Sequence, residues 1–351
     1  MDNASSKSTA VLWQKLGLSI LCAVLFAVLV LMVFATAFVH DLVDKISVDN
    51  GGDHIEGTLS SSEIDDIMKD ETVSSDYTGE TMHPTDATIE TLPLQMIDNP
   101  DVINIMLVGQ DRRPGESRQR SDSMILCSLN KKTHAFTMIS FLRDTYVTIP
   151  DHPAQKMNAA YALGGMSLLT ETLATNFGVH LDGCIEVDFG GFTKIIDMLG
   201  GVDINLTQKE ADWLNQTEGH NLSAGLNHFD GALALSYSRI RKLDMDAMRA
   251  QRQRKVITSL INAYKGNTVF SMITLAGDIL DTGLIKTNMS KSQILSYVSS
   301  LFPLLSDSKI TSKQIPISGT YEEVGVLGNI RDVKVIKDMD ANRKLLQELL
   351  G

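Results

Sequence analysis

Along this chain the hydrophobic positions fall into three regimes. From Leu16 to Val39 no residue is charged, and an unbroken apolar run of that length meets the roughly 20 residues that a membrane-spanning helix needs. From 40 to 100 the large apolar residues are scattered among Ser, Thr, Gly and acidic residues, a pattern that buries too little to order itself fully. From Val102 onward, short apolar runs separated by turn residues give way to stretches with apolar residues at helical spacing, the mark of a folded domain.

Lys7 and Lys15 precede the apolar run, and Asp41 and Asp44 follow it. The positive-inside rule therefore predicts residues 1–15 in the cytoplasm, a single span over 16–39 in the cell membrane, and the rest of the chain outside. A cleaved signal peptide is the competing reading, since Ala35-Thr36-Ala37 resembles a small-residue cleavage site. The run exceeds the about 7–15 residues of a signal h-region, which favours a retained anchor. Between Asp41 and Pro100 stand fifteen acidic residues against two lysines and no arginine. That stretch, 40–100, reads as an acidic stem, flexible or partly helical, with room for parts of it to pack on the domain.

Within 101–351, taken as one domain, Val102–Gly109, Ser123–Leu129 and Ala135–Phe141 read as strands. Asn158–Phe177 reads as a helix closed by Gly178, and Phe189–Leu199 as a helix capped by Asp188 and ended by Gly200-Gly201. Further helices are expected at Phe229–Arg239, Met245–Tyr264, Val269–Leu280, Ser290–Leu301 and Asp340–Leu350, with strands near Gly183–Val187, Val202–Asn205 and Lys313–Ile317. The order is α/β and largely non-alternating.

Candidate chemistry emerges from the strand ends. A tight Asn130-Lys131-Lys132-Thr133 turn and short connections make the first three strands antiparallel neighbours. One sheet edge then collects Asp111, Arg112 and Arg113, Arg120 and Asp122, and Arg143 with Asp144. A solvated cluster of loop charges explains the same spacing, and its salt bridges would contribute little. A second basic stretch runs from Arg239 to Arg254 in an otherwise acidic protein. There Asp246, Arg249 and Gln253 share one helical face, and Arg241, Arg252 and Arg254 accompany them. Guanidinium forks suit phosphate oxygens, and paired carboxylates suit Mg²⁺ with substrate phosphates, so the two clusters together describe a phosphoryl-transfer site.

Composition removes several alternatives. A net charge of -12 argues against nucleic acid as a general partner. Cys22, Cys127 and Cys184 form no paired framework and no CxxC motif, and Cys127 reads as a small buried hydrophobe. The chain has no GxxxxGK[ST] loop, no GxSxG elbow and no HExxH motif. Its histidines lack zinc spacing, and Gly164-Gly165 and Gly190-Gly191 read as backbone bends.

The chain resembles the LytR-CpsA-Psr proteins of Gram-positive envelopes. The likeness runs through Asn104-Ile-Met-Leu-Val-Gly-Gln-Asp111, Arg120-Ser-Asp122, Ser140-Phe-Leu-Arg143-Asp144, Lys156-Met-Asn158-Ala-Ala-Tyr161 and Val187-Asp-Phe-Gly-Gly-Phe192. It continues through Leu199-Gly-Gly-Val-Asp203, Ala234-Leu-Ser-Tyr-Ser-Arg239-Ile-Arg241 and Asp246-Ala-Met-Arg249-Ala-Gln-Arg252-Gln253.

The resemblance implies a mixed central β-sheet flanked by helices, with a groove for a polyprenyl-pyrophosphate-linked glycopolymer of teichoic acid or capsule type. The implied reaction moves the polymer, with its proximal phosphate, onto a muramic-acid hydroxyl of peptidoglycan and releases polyprenyl phosphate. Carried over by position, Asp111 and Asp122 are metal aspartates for Mg²⁺ (or Mn²⁺). Arg120, Arg143, Arg239, Arg241, Arg249 and Gln253 are the pyrophosphate-binding and catalytic side chains, while Asp246, Lys156 and Asn158 have supporting or structural roles. Phe141-Leu142 departs from the family's usual Ile-Pro and puts the turn geometry before Arg143 in doubt.

No base for the acceptor hydroxyl is identifiable from the sequence, and Asp111 is the one candidate. Leu168–Leu173 and Ile195–Leu199 are candidates to line a lipid tunnel, although core packing explains them more simply. Two rival functions remain open. In a pyrophosphohydrolase, water replaces the sugar hydroxyl at the same site; in a non-catalytic envelope-binding or regulatory protein, the arginines merely grip anionic polymer.

Overall fold

The computed structural model describes residues 47–48, 64, 67–68, 81–82, 95–110, 112, 118–241, 243, 246–265, 267–268, 271, 275, 282–289, 293, 297, 303–305 and 308–351. The expected span 16–39, Asp111 and most of the helices expected over 269–280 and 290–301 lie outside these residues. Among the described residues no helix is long and apolar enough to cross a membrane.

Two short strands come first, β1 (Ser47–Val48) and β2 (Thr81–Met82). They are followed by β3 (Val102–Gln110), β4 (Ser121–Asn130) and β5 (Ala135–Phe141). The hairpin of β6 (Tyr146–Ile149) and β7 (His152–Lys156) leads into α1 (Met157–Phe177). Next come β8 (Gly183–Asp188), α2 (Phe189–Met198), β9 (Val202–Leu206), α3 (Gln208–Glu218), β10 (Gly225–Phe229), α4 (Gly231–Ser238) and α5 (Asp246–Tyr264). The chain finishes with β11 (Ile285–Thr287), β12 (Lys309–Ile315), β13 (Tyr321–Leu327), β14 (Ile330–Ile336) and α6 (Met339–Leu350).

Among the described residues seven strands make the central sheet, in the order β1-β11-β8-β3-β4-β5-β12. It is mixed. β3, β4 and β5 form the expected antiparallel meander, whereas β8 joins β3 and β12 joins β5 in parallel. The turn between β4 and β5 closes as its sequence suggests: Asn130 Oδ1 accepts the amides of Lys132 and Thr133 at 2.9 and 3.0 Å, an Asx arrangement. The main core lies between this sheet and α1. Met106, Leu126 and Ile139 from the strands meet Tyr161, Leu169 and Leu173 from the helix, all fully enclosed. Leu346 and Leu350 of α6 complete the same cluster. A second cluster unites α2, β9, α3, β10, α4 and α5 around Ile196, Leu214, Phe229 and Tyr237.

The boundaries follow local chemistry. α1 ends where Gly178 takes the left-handed conformation (φ 67°) and its amide returns to Ala174 O, which only glycine does at low cost. Asp188 caps α2 by accepting Gly191 N at 2.7 Å, so Gly190 and Gly191 sit in a helical first turn where a bend is expected from sequence. Gly165 does bend the backbone. Its φ of 63° and ψ of -148° interrupt α1, and the Arg118 guanidinium donates to the carbonyls of Ala162 and Leu163 just before the break, both at 3.1 Å.

Several elements differ from the expectation. The helix expected at Phe229–Arg239 starts two residues later, because Phe229 completes β10 and Asp230 caps α4 by accepting Leu233 N at 2.8 Å. The strand expected at Lys313–Ile317 is β12 and ends at Ile315, before Pro316. Within the stretch expected as stem, β2 pairs with β13, and Ile64, Ile67 and Met68 pack against the main core. These acidic surroundings carry enough apolar side chains to dock locally even though the composition is that of a linker.

Cys127 packs beside Ile125, Leu129 and Met138 as a small hydrophobe, and Cys184 is enclosed in the main core. Leu169 and Leu173 belong to the main core and Ile196 to the second cluster, so core packing accounts for them.

Candidate active site

The antiparallel meander fixes where the charged groups gather. Gln110, at the end of β3, pairs with Ser121 at the start of β4, and β5 runs back to the same edge and delivers Arg143. Asp122 and Arg143, 21 positions apart, meet there: Arg143 Nη1 donates to Asp122 Oδ1 at 2.7 Å. Arg241, from the turn after α4, brings Nη2 within 3.5 Å of the same oxygen. One carboxylate oxygen therefore joins the two sequence clusters, and Asp122 Oδ2 takes no hydrogen bond among the described residues.

Arg143 is fixed from behind. Its Nε donates to Asp144 Oδ2 at 3.3 Å, and Lys156 Nζ lies 3.7 Å from Asp144 Oδ1. The Asn158 amide donates to Arg143 O at 3.2 Å, so the start of α1 pins the Arg-Asp pair. The turn at Phe141-Leu142 holds without proline. Leu142 N donates to Ile315 O at 2.8 Å, a bond that a proline lacks the hydrogen to make, and Thr145 N closes back on Leu142 O at 3.1 Å.

The remaining expected residues divide by environment. Arg120 is half-buried, and its Nη2 donates to Ile67 O. Arg239 is exposed, with its guanidinium 4.5 Å from the centre of the Phe189 ring, a cation–π contact. Arg249 is buried and Gln253 half-buried on α5. Asp111 lies outside the described residues, between Gln110 and Arg112. Direct contact is thus established for Asp122, Arg143 and Arg241.

Two arginines that add to the basic character of 239–254 hold the fold together. Arg252, 2% exposed, donates from Nε to Glu210 Oε1 at 2.9 Å and from Nη1 to Ile240 O at 3.2 Å. Burial opposes ionisation of Glu210, but the amide and hydroxyl of Thr207 and the Arg252 guanidinium outweigh it and hold the carboxyl below its usual value. Arg254 spans the seam between β5 and β12, donating to Ser140 Oγ and Ser312 Oγ at 2.5 Å each, and burial draws its guanidinium down to about 10. Neither role shows in a count of arginines. The Thr207-x-x-Glu210 capping box was the readable signal for α3 and for the partner of Arg252.

Sequence reasoning also misses a buried carboxylate. Glu186, 4% exposed on β8, accepts Tyr161 OH at 2.5 Å and Gln110 Nε2, and Arg112 Nη2 lies 3.6 Å from it. The signal available was one charged residue inside the apolar run Gly183–Val187.

Among the described residues no three His, Cys, Asp or Glu side chains cluster as a metal cage. A hard cation that takes one or two carboxylates and completes its shell with water and phosphate oxygens needs no such cage. Asp122 Oδ2 is one oxygen donor of that kind.

The chain is similar to known proteins over much of its length. Residues 62–343 match the model of the LytR_cpsA_psr family. A polyisoprenyl-teichoic acid–peptidoglycan teichoic acid transferase, TagU, from Oceanobacillus iheyensis is 39% identical over 195 residues, which is 53% of this chain and 58% of that protein. The TagU of Bacillus anthracis is 33% identical over 237 residues, 66% of this chain and 75% of that protein. Among solved structures, the LytR-CPS2A-psr family protein YwtF (TagT) with bound octaprenyl pyrophosphate lipid superposes with a TM-score of 0.55 at 26% identity. That match covers 72% of this chain and 91% of the other.

Proposed function

Because the chain belongs to the LytR-CpsA-Psr family, we propose that it transfers a polyprenyl-pyrophosphate-linked anionic glycopolymer to a muramic-acid hydroxyl of peptidoglycan and releases polyprenyl phosphate. The observation that carries this reading is the junction at Asp122, where guanidinium groups from β5 and from the turn after α4 converge on one carboxylate. Such a cluster suits the pyrophosphate bridge of a lipid-linked donor, whose two phosphates demand several cationic contacts. Relatives named for teichoic acid transfer and a relative binding octaprenyl pyrophosphate support the same substrate class.

In the proposed reaction the acceptor hydroxyl oxygen attacks the glycan-side phosphorus. The bond from that phosphorus to the bridging oxygen breaks, and the lipid phosphate leaves with the electron pair. Arg143, oriented by Asp144 and Lys156, is placed to bind the transferred phosphoryl oxygens. Arg241 and Arg239 approach from the α4 side, and Arg120, Arg249 and Gln253 contribute further polar contacts to the bridge. Preorganised donors of this kind are the largest single term in phosphoryl and acyl transfer. Asp122, with Asp111 as its expected companion, would hold a Mg²⁺ or Mn²⁺ ion. When bound, that ion supplies charge neutralisation for the leaving phosphate. Asp111 is also the candidate to accept the hydroxyl proton. The apolar run at 16–39 anchors the protein by one pass, with the domain outside the membrane beside donor and wall.

The test is to incubate the full chain in detergent with a lipid-pyrophosphate glycan, a glycan-strand acceptor and Mg²⁺. Joined glycan and released lipid monophosphate are expected. Released glycan phosphate with no joined product would instead make the protein a pyrophosphohydrolase, and polymer retention with no lipid phosphate would make it a binder.

A further inference from the structure

At the opposite side of β3 from β4, β8 runs parallel with Val108 beside Glu186 and Gln110 beside Asp188. The Glu186 carboxylate is buried there, and each of its oxygens is engaged. Oε2 accepts the Tyr161 hydroxyl of α1 at 2.5 Å. Oε1 accepts Gln110 Nε2, and Arg112 Nη2 approaches it to 3.6 Å. Gln110, fully buried, passes the connection on, since its Oε1 accepts the amide of Gln119 at 3.0 Å. Arg112 also reaches Asp188 Oδ2 at 3.8 Å, one residue before the Phe189 ring on which Arg239 rests.

A carboxylate taken out of water costs several kcal/mol unless its oxygens are fully bonded. An apolar residue at the end of a buried strand avoids that cost, and the neighbouring Cys184 is of that kind, wholly enclosed. What Glu186 adds is a direct contact with Gln110 and with Arg112, and through Gln110 a link to the amide of Gln119. Arg118, next to Gln119, is in turn bonded to the α1 carbonyls of Ala162 and Leu163.

We propose that Glu186 is a positioning residue. Through Gln110 at the end of β3 and through Arg112, it fixes where the Arg112 guanidinium is held for the donor pyrophosphate, and Tyr161 holds Glu186 itself in place. The inference rests on the function proposed above and extends it to a residue outside the arginine clusters. Glu186 touches neither substrate nor acceptor; it acts through Arg112.

The experiment is a double-mutant cycle of Glu186→Gln and Arg112→Ala in the full chain, read by calorimetric titration with octaprenyl pyrophosphate carrying no glycan, alongside thermal unfolding. Glu186→Gln keeps an acceptor for Tyr161 but removes the charge that Arg112 faces. It is expected to unfold within a few degrees of the wild type and to bind the probe about tenfold more weakly, a change of about 1.4 kcal/mol. The double variant is expected to bind no more weakly than Arg112→Ala alone, because residues acting as a unit are non-additive. Losses that multiply in the double variant, or unchanged affinity in Glu186→Gln, would overturn the proposal while leaving the transferase reading in place. A wild-type chain that does not bind the probe would sink both. If Glu186→Gln fails to fold, Tyr161→Phe enters the same cycle, with the same coupling expected at about threefold loss.

Discussion

Arg143 donates to Asp122 across 2.7 Å although 21 positions separate them in sequence. The pairing exists because β4 starts and β5 ends at one edge of the sheet. It is a part-exposed pair, each side chain about one-fifth accessible, so its value to stability is small and its value lies in orienting the guanidinium. Asp122→Ala is therefore expected to lower transfer by about 100-fold or more, the scale for losing a preorganised polar group, while the unfolding temperature stays close to that of the wild type. Retained polymer binding alongside lost turnover, measured on the same preparation, separates transfer from simple binding. Unchanged turnover would remove Asp122 from the site.

Arg241 and Arg252 belong to one basic stretch and should behave oppositely. Arg241 is half-exposed at the site, whereas Arg252 is enclosed against Glu210. Arg241→Ala is expected to impair turnover with little change in denaturant midpoint. Arg252→Ala strands a buried carboxylate and should cost about 3–5 kcal/mol of stability, visible in urea unfolding. Equal effects of the two on stability would contradict this division.

The Glu210–Arg252 contact also sets an acid limit. The carboxyl ionises below its ordinary value of 4.5 in the fold, so the folded state binds that proton less readily than the unfolded chain. The stability this gives is present above the unfolded value and is lost as pH falls through the folded one. Melting temperature should drop as pH is lowered below about 4.5, and Glu210→Gln, less stable at neutral pH, should show a shallower acid slope. Parallel slopes for the two proteins would assign the acid loss to other groups.

Gly165 offers a fourth test. Its φ and ψ lie in a region open essentially to glycine, and a Cβ there would sit 2.2 Å from Arg118 Nη1. Gly165→Ala should cost about 1–3 kcal/mol from the backbone alone. Adding Arg118→Ala should relieve the clash but not the strain, so the double variant remains less stable than Arg118→Ala. Full recovery in chemical denaturation would show that the backbone conformation is not demanding.

Much of the sheet was legible because its apolar runs are bounded by strong turn residues. β5 matches its expected limits, and the Asn130 turn made the meander and its charged edge deducible. Gly178 and Asp188 marked helix ends for the same reason. What escaped depends on partners distant in sequence. Val324, Val333 and Val335 in β13 and β14 form a separate hydrophobic cluster with Tyr146 of β6, a pairing that no local period encodes. The site was read in part. Charge led to Asp122, Arg143 and Arg241, whose side chains meet in the fold, but Arg252 and Arg254 look like them in sequence and are set apart by partners far along the chain, Glu210 and the Ser140 and Ser312 hydroxyls. Glu186 was passed over because a lone acid in an apolar run has no periodic signature.

The parallel seam between β5 and β12 has a consequence for biogenesis. Strand Ala135–Phe141 waits for a neighbour, Lys309–Ile315, that is synthesised about 170 residues later, and parallel pairing over such a distance is slow to form. Until then its open ladder is a template for any passing strand. A nascent or clipped chain ending before Lys309 would consequently be an aggregation hazard rather than a smaller enzyme, and its clearance falls to whatever chaperones and proteases await it.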